Sequence, residues 1–234
     1  MDNWQYESLQ SLPPEALAAN SWLTNKLRNC VYVWVCFWLK KQFSFTVEGD
    51  EIFESTSQFV LVANHSSHLD TISLLAILPS KLRNHCYSAA AEDHFYSNVF
   101  KEKIARLFGN TFPFRRREDA TRSLEACARI LERGDCLIFF PEGTRSKTGE
   151  VQKFRKGIGK LLQGKSFPVV PIYIKGAYEA LAKGRFCPKK THINILIGSP
   201  LVFKDNTLDE LSAIEIANRL ESEVRRLGGI PPLR

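Results

Sequence analysis

At 234 residues, 44% hydrophobic and 24% charged, the chain is long enough for one sizeable domain and too apolar to remain disordered. A formal net charge of +7 and a pI near 9.1 favour anionic partners: a membrane surface, a phosphorylated substrate, an acidic carrier protein or nucleic acid. Six cysteines, at 30, 36, 86, 127, 136 and 187, include no CxxC pair, which excludes a zinc ribbon and points to buried, reduced thiols in a cytosolic setting.

Residues 1–20 carry acids and no basic region ahead of an apolar core, so they read as a loosely tied leader rather than a signal peptide. Residues 22–42 read as an aromatic helix. Within it NCVYVWVCFWL (29–39) is bounded by Lys26, Arg28, Lys40 and Lys41. A spanning helix needs about 20 apolar residues, so this segment is too short to cross a bilayer. Its tryptophans and basic flanks suit a helix lying in the membrane interface, and a core helix or an oligomer contact is the alternative.

The body follows. FSFTVEG (43–49) alternates as a strand, QFVLVA (58–63) is a buried strand, and DTISLLAIL (70–78) is a helix stopped by Pro79. HCYSAA (85–90) reads as a strand and 93–107 as a helix. After TFPF, the stretch REDATRSLEACARILERG is a helix closed by Gly134. CLIFF (136–140) is a central strand, KGIGKLLQG a helix, FPVVPIYIKG and THINILIG strands, and 207–227 a final amphipathic helix. Strands alternating with helices predict an α/β fold, a mixed and mainly parallel sheet covered by helices on both faces. The expected division is a leader and interface helix over 1–42 and one domain over 43–234.

Sites in such folds gather at the carboxyl ends of strands. Three clusters fall there: NHSSHLD after FVLVA, the GNTFPFRRR segment, and FPEGTRS after CLIFF. His65 and Asp70, five residues apart, would lie about 140° apart on a continuous helix and could not face each other. With His65 on a loop and Asp70 in the first helical turn, the carboxylate reaches one imidazole nitrogen and leaves the other free, a base without a metal. His65, His68 and Asp70 could instead supply three metal ligands, but HxxHxD matches no defined metal geometry, and His85, His94 and His192 form no second ligand pair. His68 reads as local packing. In FPEGTRS, the carboxylate of Glu142, the flexible Gly143, the Thr144 hydroxyl and Arg145 can bind polyol hydroxyls and phosphate together, or be a turn with solvated charges. The run Arg115, Arg116 and Arg117 lacks the interleaved aromatics of a nucleic-acid platform.

Taken in order, NHSSHLD (an HxxxxD motif), GNTFPFR, FPEGTRS and VVPIYI resemble the four blocks of the glycerolipid acyltransferases related to 1-acylglycerol-3-phosphate acyltransferase, over residues 64–174. The resemblance implies transfer of a fatty acyl group from acyl-CoA or acyl carrier protein to the free hydroxyl of a lysolipid. The acceptor it implies is 1-acylglycerol-3-phosphate, giving phosphatidic acid. It implies His65 as general base and Asp70 as the group that holds its tautomer. Arg115, Glu142, Gly143, Thr144 and Arg145, with Arg116 as a further candidate, would bind the acceptor. Pro171 is structural. Oxyanion donors are expected among backbone N–H groups near a helix start or the Gly143 turn. The reaction calls for no metal or other cofactor and no nucleic acid, and for a peripheral position on the cytoplasmic face of a membrane.

Two departures stand out. Where many relatives carry a lysine in a K-x-E-L-like segment, this chain reads AAAEDHF (89–95), so Lys156 in FRKG is a substitute cation. Pro113 and Phe114 stand where relatives often have an apolar residue and an acid. Both weaken the lysophosphatidic acid assignment and leave open another lysolipid, including an amino-acid or sugar lipid, or an inactive lipid-binding module.

Overall fold

The computed structural model describes residues 22–91, 110–114, 120–185, 187–204 and 211–232. The leader, the helix expected at 93–107, Arg115 and Arg116 lie outside them. Helix α1 (Trp22–Gln42) precedes strand β1 (Ser44–Glu48), α2 (Ile52–Ser55), β2 (Val60–Ala63), α3 (Leu69–Ile77), α4 (Ser80–Arg83), β3 (Cys86–Ala91) and β4 (Thr111–Phe114). Then come α5 (Ala120–Glu132), β5 (Cys136–Phe139), α6 (Gly157–Leu162), β6 (Lys165–Lys175), α7 (Ala177–Ala180), β7 (His192–Ile197), β8 (Leu201–Phe203) and α8 (Ala213–Leu227).

Among the described residues the strands form one sheet in the order β1-β7-β6-β2-β5-β3-β4, with β8 also on β6. The centre, β6-β2-β5-β3-β4, is parallel; β6 meets β7 and β8 antiparallel. Alternation along the central strands divides the core. Leu61, Ala63, Cys136 and Ile138 face the side of α1 and α3, while Val60, Val62, Leu137 and Phe139 face α5, α6 and α8. This is the mixed, two-sided sheet expected from the sequence.

Local chemistry sets the ends of the elements. Gly134, at φ +86, closes α5: its N–H donates to the Leu131 carbonyl and the Asp135 N–H to Ile130, the paired bonds of a Schellman motif. Pro79 halts α3, whose last carbonyls, Leu75 and Leu78, accept from the Arg83 guanidinium, and Arg83 in turn lies over the Tyr32 ring of α1 at 4.6 Å. Pro171 sits in a central strand because its own carbonyl accepts from Gly198. Its missing N–H therefore faces the interval between Val169, where β8 pairs, and Ile172, where β7 begins. The final helix starts at Ala213 rather than 207. Ser212 and Glu215 form a capping box there, an S-x-x-E signal that apolar periodicity alone passes over. Residues 207–210 lie outside the described set.

Three of the six cysteines, Cys86, Cys127 and Cys136, are buried, while Cys30 and Cys187 are exposed, so the expectation of buried thiols holds for only half of them. Arg28, Tyr32 and Leu39 form the inner stripe of α1. Across the helix, Leu23, Val33, Trp34 and Phe37 are between 59% and 70% exposed. No described helix is long and apolar enough to cross a membrane.

Candidate active site

Parallel pairing of β2 with β5 and β6 brings the segments that follow these strands to one edge of the sheet. The first is NHSSHLD. Asn64 ends β2 by bonding the Ile174 main chain in both directions, Nδ2 to the carbonyl at 2.9 Å and Oδ1 from the N–H at 2.7 Å. The chain then turns, and Asp70, fully buried in the first turn of α3, points back into the loop. Its Oδ2 accepts from the N–H groups of Ser66 at 2.7 Å and Ser67 at 2.8 Å, and lies 2.9 Å from His65 Nδ1. An oxygen already receiving two backbone protons acts as acceptor to the third partner, so Nδ1 carries the hydrogen and Nε2 the lone pair. Among the described residues Nε2 has no hydrogen-bond partner. The imidazole stacks on Phe140, with centroids 4.1 Å apart and planes 18° apart, and keeps 16% of its surface exposed. Among the described residues no three His, Cys, Asp or Glu side chains converge as metal ligands.

The loop after β5 is built around the same histidine. The Ser146 N–H donates to the His65 carbonyl at 2.7 Å, and the His65 N–H donates to Glu142 Oε1 at 2.9 Å. Glu142 Oε2 accepts from Gln152 at 2.9 Å. Glu142 thus departs from its expected part as an acceptor of substrate hydroxyls: both its oxygens serve protein donors, and it is 2% exposed. Burial pushes its carboxyl up to about 8, against the pull of the His65 and Gln152 hydrogen bonds. Gly143 turns the loop at φ +74, and a Cβ there would come within 3.0 Å of Arg155 Nε. The Gly143 N–H is spent on the Phe140 carbonyl and is not the open oxyanion donor that the turn suggested.

Beside His65 lies a cavity of about 230 Å³, walled by Leu124, Phe139, Phe140 and Ile158, with Arg155, Lys156 and Lys160 among its lining. Gly143 lines it; His68, Glu142, Thr144 and Arg145 do not. Lys156 and Lys160, one turn apart on α6 and its N-cap, are exposed and form no ion pair with a described residue. Arg155 is partly committed, its Nε donating to the Glu142 carbonyl at 3.1 Å. Helix α6 can approach α8 because residue 159 is glycine: a Cβ there would stand 1.8 Å from the Ala213 carbonyl oxygen. Glu221 of α8 accepts from the Phe154 N–H at 2.8 Å, and its ion-pair partner Arg225 donates to the Val151 carbonyl at 2.6 Å. The final helix therefore holds the segment that carries Gln152, Arg155 and Lys156.

A sequence profile of the family described as Acyltransferase matches residues 44–175, from the first residue of β1 to the last of β6. The chain belongs to the acyltransferase family. A Caenorhabditis elegans protein named as a 1-acyl-sn-glycerol-3-phosphate acyltransferase is 27% identical over 199 residues, 83% of this chain and 68% of its own length. A 1-acyl-sn-glycerol-3-phosphate acyltransferase of Cocos nucifera is 26% identical over 161 residues, 68% of this chain; that match spans only half of the Cocos protein. Among solved structures, the 1-acyl-sn-glycerophosphate (LPA) acyltransferase PlsC from Thermotoga maritima superposes with a TM-score of 0.64 at 24% identity, over 95% of this chain and 84% of that one. This last likeness is one of fold. In this acyltransferase, sequence reasoning passed over Asn64, Phe140 and Gln152. No spacing rule singles them out: Asn64 and Phe140 act on residues distant in the chain, and Gln152 reaches Glu142 across a loop with no fixed periodicity.

Proposed function

We propose that the protein transfers a fatty acyl group from the thioester of coenzyme A or acyl carrier protein to the free hydroxyl of 1-acylglycerol-3-phosphate, forming phosphatidic acid. The observation that carries the reading is a histidine with one ring nitrogen committed to a buried carboxylate and the other unpartnered, in the wall of an apolar cavity. His65 Nε2 takes the proton of the acceptor hydroxyl as its oxygen attacks the thioester carbonyl. Asp70 holds the tautomer and stabilises the imidazolium that forms. When the tetrahedral intermediate collapses, the carbon–sulfur bond breaks and the proton passes to the departing thiolate. No acyl-enzyme and no cofactor enter this sequence.

The apolar walls suit a fatty acyl chain, and Lys156 with Lys160 suits an anionic head group at the mouth. Arg115 and Arg116 are assigned to the acceptor phosphate through their motif alone, and Arg145 and Thr144 keep the same assignment without lining the cavity. Glu142 is reassigned to holding the His65 loop. Residues 43–234 form the acyl-transferring unit. Helix α1, with the leader before it, lies on the cytoplasmic face of a membrane as a peripheral element, a reading supported by its exposed tryptophans and basic flanks. The test is mass spectrometry of products from a lysolipid mixture offered acyl-CoA and acyl carrier protein thioesters separately. Phosphatidic acid as the main product, lost in His65→Ala, is the expected result. A different acylated lipid would move the acceptor to another lysolipid, equal transfer by His65→Ala would overturn the base assignment, and no transfer by the parent would leave a lipid-binding module.

A further inference from the structure

A second cavity, of about 320 Å³, lies on the same edge of the sheet and plays no part in the chemistry above. Its lining includes Arg185, Lys189 and Lys190, the hydroxyl-bearing Tyr178 and Thr191, and one acid, Glu179. Between Lys175 and Thr191 the chain carries five cations (Lys175, Lys183, Arg185, Lys189 and Lys190) and Glu179 as the sole carboxylate. All are exposed, and none of the five cations forms an ion pair with a described residue.

This cavity is fastened to both loops of the active site. Ser67, two residues from His65, donates its hydroxyl to the Leu181 carbonyl at 2.7 Å and bridges to Ala182. Tyr178 donates its hydroxyl to the Lys147 carbonyl at 2.7 Å, just beyond FPEGTRS, and packs so close that a Cβ on Gly149 would meet its ring at 2.8 Å. The Lys189 N–H closes the segment on the Ala180 carbonyl at 2.8 Å. At full extension the short paths from His65 to Ser67 and from Ala182 to Arg185, joined at their bridge, place Arg185 no more than roughly 25 Å from the base.

The two cavities differ in their walls. One joins three cations, Arg155, Lys156 and Lys160, to apolar walls of Leu124, Phe139, Phe140 and Ile158. The other carries the same kinds of cation, Arg185, Lys189 and Lys190, with hydroxyls beside them and only Ala182 as an aliphatic wall, so it matches phosphate oxygens rather than a hydrocarbon chain. A reaction that takes its acyl group from a carrier thioester brings a polyanion on the far side of a long pantetheine arm. A protein carrier would need a broad contact of about 800 Å² per partner, whereas concave pockets of this size take small ligands. Resting on the acyl-transfer reading, we propose that this cavity binds the phosphates of the coenzyme A portion of the donor.

The test compares the parent with R185E and the double variant K189E/K190E on three donors: an acyl-CoA, the same acyl group on dephospho-CoA, and its N-acetylcysteamine thioester. Charge reversal is expected to raise KM for acyl-CoA about tenfold or more. The rise is smaller for the dephospho donor, kcat stays within about twofold, and kcat/KM for the truncated thioester does not change. K189R/K190R restores the parent KM. Calorimetric titration with coenzyme A alone, weaker in the reversed variants by the same factor, reads the site without turnover. An equal loss with all three donors overturns the proposal, as does a change confined to vesicle binding, which would make the patch a lipid contact, or one confined to an acyl carrier protein donor. A parent that binds coenzyme A here but transfers no acyl group would overturn the proposed reaction and leave this site standing.

Discussion

The loops around His65 and the outer face of α1 are opposite kinds of surface. Around His65 the chain supplies most of its own polar partners: Asp70 Oδ2, Glu142, Gln152 and Ser146 hold the histidine loop by side chain, N–H and carbonyl, while Asp70 Oδ1 and His65 Nε2 have no partner among the described residues. On α1 the helix presents Trp34, Phe37 and Leu23 outward, opposite its buried Arg28, Tyr32 and Leu39, whereas α8 buries its apolar stripe of Ile216, Leu220 and Val224 together with the Glu221–Arg225 pair. A region closed on itself is fragile to internal change. A region left open is complete only with something from outside, and its changes register there rather than in folding.

The sharpest way to break the first region is at its reacting atom. His65→Ala is expected to lower acyl transfer by about 10²–10⁴-fold and, because the buried Asp70 loses its imidazole partner, to cost about 1–3 kcal/mol in a thermal melt. A melt that moved while the rate stayed put would turn His65 into a structural residue. Next, Arg225→Ala strands Glu221 as an unpaired buried charge and is expected to cost about 3–5 kcal/mol in urea unfolding. A loss under 1 kcal/mol would separate α8 from the site loop.

Glu142 gives a smaller effect with a pH signature. Glu142→Ala removes the acceptor of the His65 N–H and is expected to cost about 1–3 kcal/mol. Burial favours the neutral acid, with a folded value near 8 against an unfolded value of 4.5. Its contribution to stability is therefore complete below pH 4.5 and fades as pH rises through about 8. Melting temperatures should fall across that window in the parent and stay flatter in Glu142→Gln; parallel curves would show that Glu142 titrates as it does in the unfolded chain. The smallest effect on folding belongs to α1. Trp34→Ser with Phe37→Ser should leave stability within about 0.5 kcal/mol and reduce sedimentation with anionic vesicles, and unchanged sedimentation would remove the membrane from this face.

What is legible in the sequence is what is local. Strand alternation, the Gly134 stop and the loop-to-helix step that lets Asp70 turn back on His65 all depend on residues a few positions apart. So does the order of the four motif blocks. Glu142 misleads because a carboxylate in a loop reads the same whether it faces solvent or a neighbouring N–H, and that N–H lies 77 residues earlier in the chain. Phe140 is silent for the same reason, and Gln152 because it reaches Glu142 across a loop with no fixed periodicity. The capping box at Ser212 and the Glu221–Arg225 pair, by contrast, are short-range signals open to a closer reading of the last helix.

Arg28 bears on how the enzyme meets its substrate. It is 1% exposed, and its guanidinium donates to Asn25 of the same helix and to Asn110 at the entry to β4, both at 3.2 Å. Together with Tyr32 and Leu39 it bolts α1 to the body. A floppy tether would govern only how often the protein visits a surface. On the proposed membrane contact, a bolted fin would also set the angle of approach, so the tilt of the cleft above the lipid would be inherited from the fold, and a substitution at Arg28 would detune orientation before it touched affinity.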